Sequence, residues 1–575
     1  MGSSLEDSNA RAVTGPDASS THAAVADDAN QSPSAETAGK PDSDAAFVVH
    51  GYKLYAILVG ICFGAFMMSL DVFVIATAIP SITSEFHDTA NLAWYPAAYS
   101  FTTCALTPLA GKLTTVFTLR WVYIVFFSIF LVGSIICGWA PNSEAFIVGR
   151  AIAGIGASGV GSGGLTVVLT ISSEKVKPLF MGIISSFFAL GLILAPVLGG
   201  VFTEKITWRW CFWINLPPGA LTLAVMLVFF RPPSRARPES ITKSLLKLDL
   251  VGCFFFIPAI FMLLLALTWG GTKEAWNSAT TIGLFVGSGV TLIIFVCWEG
   301  YKGIDAMIPG IVLSRRTVTF SILFSFCHLG SLAISSYYLP EWFQAVQGAT
   351  PLESGTRVLA TVLAQITGTI SAGILARVIK YYNPFLFVGP AFMCTAAALY
   401  TQFTAFDTPS SHWIGFQVIN GLGVGMAQQM PSLTVQLALS DREDLLPIGV
   451  ALNLFAQYLG ATFTQVIAGV VFRSILNEQL VDAGLSASEI ALLSAAGTAN
   501  VRGTTEQYMP NLLRPVLEAY NTAITSIFFV PVVTTACGFF VAFGIKWTKI
   551  GTGQKKIEAH EAQEDIELAA HRSRQ

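Results

Sequence analysis

Apolar residues in this chain fall in long unbroken runs, not in the alternation of a half-buried strand or the one-sided stripe of a surface helix. Fourteen runs predict fourteen helices, at roughly 54–80, 91–114, 121–139, 145–171, 178–203, 210–230, 249–268, 279–298, 318–340, 354–378, 384–404, 413–439, 446–475 and 522–545. A bilayer core takes about 20 mostly apolar helical residues to cross. Backbone within hydrocarbon must be helical or closed into a barrel, and these runs are too long for barrel strands. The pattern therefore predicts an all-α polytopic membrane protein.

Composition sharpens this picture. Charged residues make up 12% of the chain, against about 25% in a soluble domain, and the mean hydropathy is +0.63. Residues 1–50 hold ten charges and residues 546–575 hold eleven, which leaves 46 for the 495 residues between. Both ends read as polar tails, the first disordered and rich in Ala, Ser and Asp. The opening 45 residues lack the basic-then-apolar layout of a signal peptide, so the first apolar run is expected to act as an internal signal anchor. A net charge of −3 offers no basic field for nucleic acid. All nine cysteines lie in apolar stretches, with no CxxC pair and no disulfide framework.

Short-loop cations set the orientation. Fifteen, among them Lys112, Arg120, Lys177, Arg315, Arg377 and Arg442, fall on one side; four (Lys205, Arg209, Lys273 and Arg357) fall on the other. The first side, with both tails, is expected to be cytoplasmic. Segment 476–521 is then exofacial, and LVDAGLSASEIALL within it predicts an amphipathic helix lying on the surface.

A repeat recurs at near-constant offset. Gly154 and Gly156 match Gly421 and Gly423, and Gly182 matches Gly449, all 267 residues apart; Gly111 of GKLTTV matches Gly373 of GILARV at 262. Helices 1–6 and 9–14 thus predict two six-helix halves, with helices 7–8 inserted between them. The expected layout is a tail over 1–50, one half over 51–230, a cytoplasmic linker plus the inserted pair over 231–300, a second half over 301–545, and a tail over 546–575. Parallel six-helix repeats are the architecture of major facilitator proteins, with a cavity between the halves.

Polar groups inside apolar helices carry the candidate chemistry. Asp71 sits mid-span in MMSLDVFVIATAIPSI, where a carboxylate costs about 2.5–3.5 kcal/mol on insertion scales. It can face a wet cavity, pair with a cation, take up a proton, or join helices as a structural acid. Arg150 opens the fourth span; guanidinium keeps its proton, so it suits a fixed counter-charge, or else snorkels to the interface. GIGASG over 154–159 matches GxGxxG but lacks the strand that a dinucleotide site needs, so its glycines are expected to let helices approach. His328 fits a packing role or a proton relay. Gln365, Gln417, Asn420, Gln428, Gln429, Asn453, Gln457 and Gln465 fit a cavity wall or helix-joining bonds equally. Tyr95, Tyr99 and the many Phe side chains fit an aromatic pocket or a lipid-facing surface. No nucleophile constellation, HExxH or phosphate-binding GxxxxGK[ST] occurs, so an enzyme or an ATP-driven motor is not expected.

These residues resemble a known family. LDVFVIATAIPSIT with Asp71, GRAIAGIGASG with Arg150, and GLILAPVLGG with Gly191, Pro196, Gly199 and Gly200 are similar to helix signatures of the fourteen-spanner drug:proton antiporters of the major facilitator superfamily. WRWCFWINLPPG, LLLALTWGGTKEAWNS and YYLPEWFQAVQGATPLESG resemble strings frequent in its fungal toxin and multidrug efflux branch. The likeness covers about residues 50–545. One departure stands out: the loop after helix 2 has Gly111 and Arg120, but Thr115, Thr118 and Leu119 replace the Asp, Gly and basic residue of the family's gate motif.

The resemblance implies proton-coupled efflux of a hydrophobic or amphipathic small molecule by alternating access, with Asp71 and Arg150 in proton coupling. It also implies Gly111, Arg120 and the fifth-helix signature in conformational change. No cofactor, metal or nucleic acid is expected; the partners are substrate, protons and lipid bilayer, and the protein is expected to be monomeric in the plasma membrane, with a vacuolar membrane open. A siderophore or other solute:proton transporter of the same superfamily, and a non-transporting receptor, remain alternatives.

Overall fold

The computed structural model describes residues 51–87, 94–173, 176–231, 248–271, 273–496 and 501–550. The first tail, residues 551–575 of the second, the cationic linker 232–247 and Lys175 lie outside the described residues. Helices in chain order are α1 (Tyr52–Phe86), α2 (Trp94–Val116), α3 (Leu119–Trp139), α4 (Ser143–Ile171), α5 (Lys177–Lys205), α6 (Trp210–Trp213), α7 (Leu216–Phe229), α8 (Leu250–Trp269), α9 (Ala279–Lys302) and α10 (Gly310–Ser314). They continue with α11 (Arg316–Ala345), α12 (Pro351–Arg357), α13 (Leu359–Ile379), α14 (Asn383–Tyr400), α15 (Ser410–Ala427), α16 (Met430–Ala438), α17 (Leu446–Asp482), α18 (Ala487–Ala496), α19 (Val501–Tyr508), α20 (Leu513–Ile527) and α21 (Phe529–Ala542).

Each of the fourteen expected segments falls on helix. Twelve helical stretches among the described residues are long and apolar enough to cross a membrane; the two remaining segments are α2 and α15–α16. Five threonines and Lys112 lower the hydropathy of α2, yet fourteen of its residues are buried against other helices. Its threonine hydroxyls donate back to their own helix, as Thr107 does to the carbonyl of Thr103 at 2.5 Å. The α15–α16 segment is interrupted at Gln428–Gln429, ahead of Pro431.

Other boundaries differ from the hydropathy pattern because packing extends or breaks the helices. The Phe86 ring at the end of α1 meets Phe146 and Trp208. Pro217 and Pro218 open α7 after a break from α6. The stretch LVDAGLSASEIALL is not one helix: α17 takes its first three residues, and Gly484 at φ +84° turns the chain. Ser486 and Glu489 then cap α18 reciprocally. Leu485 and Leu493 are buried with Trp342 and Tyr400, so protein packing covers much of the face that the pattern assigned to a surface.

The repeat is visible in the packing. Helix α1 lies against α5 and α7, α2 against α4, and α3 against α4; α11 against α17 and α21, α13 against α15, and α14 against α15 reproduce this arrangement. A side chain at Gly154 would strike Thr102 and the backbone of Tyr99 on α2, and one at Gly421 would strike the backbone of Thr361 on α13. Gly156 meets Phe130 of α3, and Gly423 meets Gly389 of α14. The two GxG pairs are therefore equivalent helix-contact points, which also explains GIGASG without a nucleotide. Gly182 and Gly449 are not equivalent: the first faces Thr369 on α13, the second Leu439 and Val435.

Between the halves, α2 meets α17 and α5 meets α13, the two diagonal contacts of a pseudo-twofold. Gly111 abuts Ala451 and Pro447, and Gly373 abuts Pro178 and Leu179. Both contacts lie toward the end carrying Lys112, Lys177, Arg377 and Arg442, called the basic end below. The seam is closed there. The α8–α9 pair touches α2 and α17. Phenylalanines divide between roles: Phe127, Phe130, Phe146, Phe212 and Phe324 are fully buried, whereas Phe254, Phe529, Phe540 and Phe543 face outward.

Candidate functional site

Asp71 lies near the middle of α1 and Arg150 about two turns into α4. Both side chains are shut away from solvent, at 0% and 1% exposure, and Arg150 Nη1 donates to Asp71 Oδ2 at 2.6 Å. The snorkelling alternative for Arg150 does not occur, because its side chain is enclosed by Asp71 of α1, Tyr95 and Tyr99 of α2 and Phe212 of α6. Its Nε donates to the carbonyl of Tyr95 at 3.1 Å. Its guanidinium lies over the Tyr99 ring, 4.6 Å from the centroid, with Phe212 at 5.7 Å. Asn215, at the α6–α7 break, donates its amide to Asp71 Oδ1 at 3.3 Å and to Ser134 at 3.3 Å. Removing two charges from water is costly, and short charge-assisted bonds with filled secondary positions offset it. The cluster lies toward the end of the bundle opposite the basic end.

Tyr95 and Tyr99 thus join the charged cluster. Tyr95 is fixed by a hydroxyl bond to Ser143 at 3.0 Å; the Tyr99 hydroxyl is buried without a bonding partner. Asn215 was not among the sequence candidates, although an amide within the aromatic run WRWCFWINLPPG, directly before a helix-breaking proline pair, is a readable signal.

In the second half the amides separate into two groups. His328 is buried, stacks on Phe324, and meets Gln428 Oε1 through Nε2 at 3.0 Å, while its Nδ1 has no bonding partner. Asn453 accepts from Ser325 at 2.6 Å and donates to Ser432 at 3.0 Å, a closed set joining α17, α11 and α16. Gln417 accepts from Thr361 at 2.9 Å, and Gln365 is buried where Gly421 and Gly425 admit the α13 backbone. Asn420 is buried with its amide nitrogen unbonded, and Gln457 is buried on α17. Gln429 donates to Ser185 on α5, a bond between the halves. The structure does not gather the cavity candidates into one site: some close helix contacts, while His328, Gln428 and Gln429 cluster at the α15–α16 break beside α5.

The fifth-helix glycines also divide. A Cβ at Gly191 would lie 2.6 Å from the carbonyl oxygen of Phe66, and Gly199 faces Thr77, so both hold α5 against α1. Gly200 has nothing within 4 Å. The side chain of Pro196 lies outside the described residues, and α5 runs helical through that position. Gly191→Ala is expected to destabilise by about 1–3 kcal/mol through overpacking; Gly200→Ala is expected to stay within about 0.5 kcal/mol. Melting of the purified variants separates them, and equal melting would refute this division. Arg120 donates within its own half, to the carbonyl of Leu227 on α7, and Thr115 donates back to the carbonyl of Lys112 at 2.8 Å. Neither reaches across the seam.

Residues 61–465 match the model of the Major Facilitator Superfamily. The chain is 42% identical over 541 residues to the MFS-type transporter poxA of Penicillium oxalicum, covering 92% of this chain and 95% of that one. It is 38% identical to the Aspyridones efflux protein of Neocamarosporium betae, with 87% and 88% covered. Identity to the Efflux pump aflT of Aspergillus parasiticus is 37%, with 88% and 98% covered. The fold resembles that of the proton:xylose symporter XylE in its complex with 6-bromo-6-deoxy-D-glucose, at a TM-score of 0.55, 13% identity, and 86% and 97% coverage.

Proposed function

Because this chain belongs to the Major Facilitator Superfamily and is a multi-pass membrane transporter of the fungal efflux branch, we propose that it exports a hydrophobic or amphipathic small molecule in exchange for protons. The observation that carries the proton coupling is the fully buried ion pair between Asp71 and Arg150. Arg150 holds a permanent positive charge and Asp71 a removable negative one. With Asp71 ionised, the pair is neutral and closed. A proton arriving on Asp71 cancels that charge, leaves Arg150 to Tyr95, Tyr99 and solvent, and so biases the helices α1 and α4 that carry them. Alternating access requires two states that differ in how they hold the proton and the substrate, and this pair supplies the difference.

Substrate enters from the basic side, taken as cytoplasmic from its excess of Lys and Arg, when α2–α17 and α5–α13 part. It meets the polar cluster of His328, Gln428, Gln429 and Ser185 at the break between α15 and α16. The unbonded His328 Nδ1 and the nearby amides suit a ligand with carbonyl or hydroxyl groups on an otherwise apolar frame. Export is supported by the names of the relatives, and the plasma membrane with both termini cytoplasmic is the matching location. The transporter works as a monomer, since both halves and the contacts between them, α2 with α17 and α5 with α13, are supplied by one chain.

The test is loss of a preloaded hydrophobic fluorescent dye from cells with and without the protein, before and after a protonophore. Faster loss that disappears when the gradient is collapsed is the expected result. Accumulation of substrate in place of loss would overturn export, and loss insensitive to the protonophore would overturn proton coupling.

A further inference from the structure

A second buried charged cluster lies at the basic end, where the inserted helix pair meets the seam. Asp249 caps α8: its Oδ1 accepts from Gly252 N–H at 2.9 Å and from Trp298 Nε1 at 2.8 Å, and its Oδ2 from Met307 N–H at 3.3 Å. Glu299 of α9 takes the same Met307 N–H on Oε1 at 3.3 Å and Ile308 N–H on Oε2 at 2.7 Å. From the opposite side, Lys112 of α2 donates its ammonium to the carbonyls of Ala306, at 2.7 Å, and Asp305, at 3.2 Å.

Four consecutive residues, 305–308, are therefore gripped by side chains from three helices. Lys112, Asp249 and Glu299 are all buried, and Ala306 and Met307 are fully enclosed. Gly252 is required beneath them, because a Cβ there would strike Asp249 Oδ2 and lie 2.8 Å from Glu299 Oε1.

The placement gives this grip a role. The held segment is the elbow that leads from the inserted pair into the second half. Met307 packs in a cluster with Phe101 and Cys104 of α2 and Phe256 of α8; Ile308 packs against a cluster containing Ile448 and Leu452 of α17. Lys112 directly follows Gly111, which abuts Ala451 and Pro447 of α17. A charged bond from the first half to the elbow of the second thus lies beside one of the two contacts that close the basic end. An elbow that moves with α17, against which Ile308 packs, carries these carbonyls away from Lys112 when α2 leaves α17.

We propose that Lys112, Asp249 and Glu299 form an interlock by which the inserted helix pair stabilises the state closed at the basic end. Lys112 is a positioning residue that ties α2 to the elbow, and the two carboxylates fix the elbow's backbone so that its carbonyls point at Lys112. The inserted pair is then a brace across the moving seam. This rests on the alternating-access part of the reading above, and not on export or proton coupling.

The experiment uses purified full-length protein in detergent, without substrate or gradient. Thr114 is buried one helical turn beyond Gly111, and a cysteine fits in its place. In the T114C background, K112M is expected to raise maleimide labelling of that cysteine at least about tenfold, since charge-assisted bonds that favour the closed state are lost. K112R, which keeps the charge, is expected to return most of the protection, and E299Q to raise labelling in the same direction. Labelling is corrected for the native cysteines with the Thr114 parent, and monodispersity and melting are checked for each variant. A folded K112M variant whose labelling matches the T114C parent overturns the interlock. If K112M is not monodisperse, E299Q decides by the same criterion. The export reading is tested separately by dye loss, so either can fail alone.

Discussion

Replacing Asp71 with asparagine is expected to reduce gradient-driven transport to background, with some loss of stability because Arg150 keeps its charge and loses its counter-charge, while the folded protein still binds substrate. The amide is nearly isosteric with the carboxyl group and can still accept from Arg150 or Asn215, so packing around α1 is conserved. What it loses is the removable charge. Asparagine imitates the protonated state permanently, and a carrier held in one protonation state has no coupling free energy to draw from the gradient. The measurement is pH-gradient-driven flux in reconstituted vesicles, beside substrate binding in detergent. Binding retained with flux abolished supports the assignment; full gradient-driven flux in Asp71→Asn removes Asp71 as the proton acceptor.

Arg150→Met is expected to lower stability as well, by about 3–5 kcal/mol, because it leaves a buried carboxylate without its counter-charge. The cost arises from the orphaned charge more than from the lost bond. The double variant Asp71→Asn with Arg150→Met is therefore expected to recover most of the melting temperature while remaining inactive in gradient-driven flux. A double-mutant cycle on thermal melting reads this directly. A single Arg150→Met variant as stable as the parent, or a double variant no better than the single, would show that the 2.6 Å pair is not what holds these helices together.

Parts of this site are legible in the sequence. Asp71 and Arg150 stand out because ionised groups are rare inside apolar runs, and that rarity is a property of single positions. Their union was not legible. It links residues 79 apart in sequence and depends on the rotation of α1 and α4 about their own axes. Asn215 escaped for the same reason, since its amide matters only once the α6–α7 break turns it toward Asp71. The amides of the second half fit a cavity wall or helix-joining bonds equally in the sequence; in the fold Gln417 bonds to Thr361, and Asn453 to Ser325 and Ser432, across helix contacts. Lys112 reads as an ordinary loop-side cation until Ala306 is seen beside it.

By itself, the sequence determined where the chain is helical, which stretches face hydrocarbon, and that two halves repeat. Each follows from local chemistry: a bilayer solvates or rejects residues one at a time, and backbone polarity in lipid leaves the helix as the available answer. The glycines at 154, 156, 421 and 423 carried the repeat because close helix approach demands the same small residue at equivalent places. Tertiary structure alone decided which faces meet, which charges neutralise each other, and which end of the seam is closed. Those outcomes depend on contacts between segments hundreds of residues apart, where a rotation of one helix by a single residue exchanges a partner for lipid.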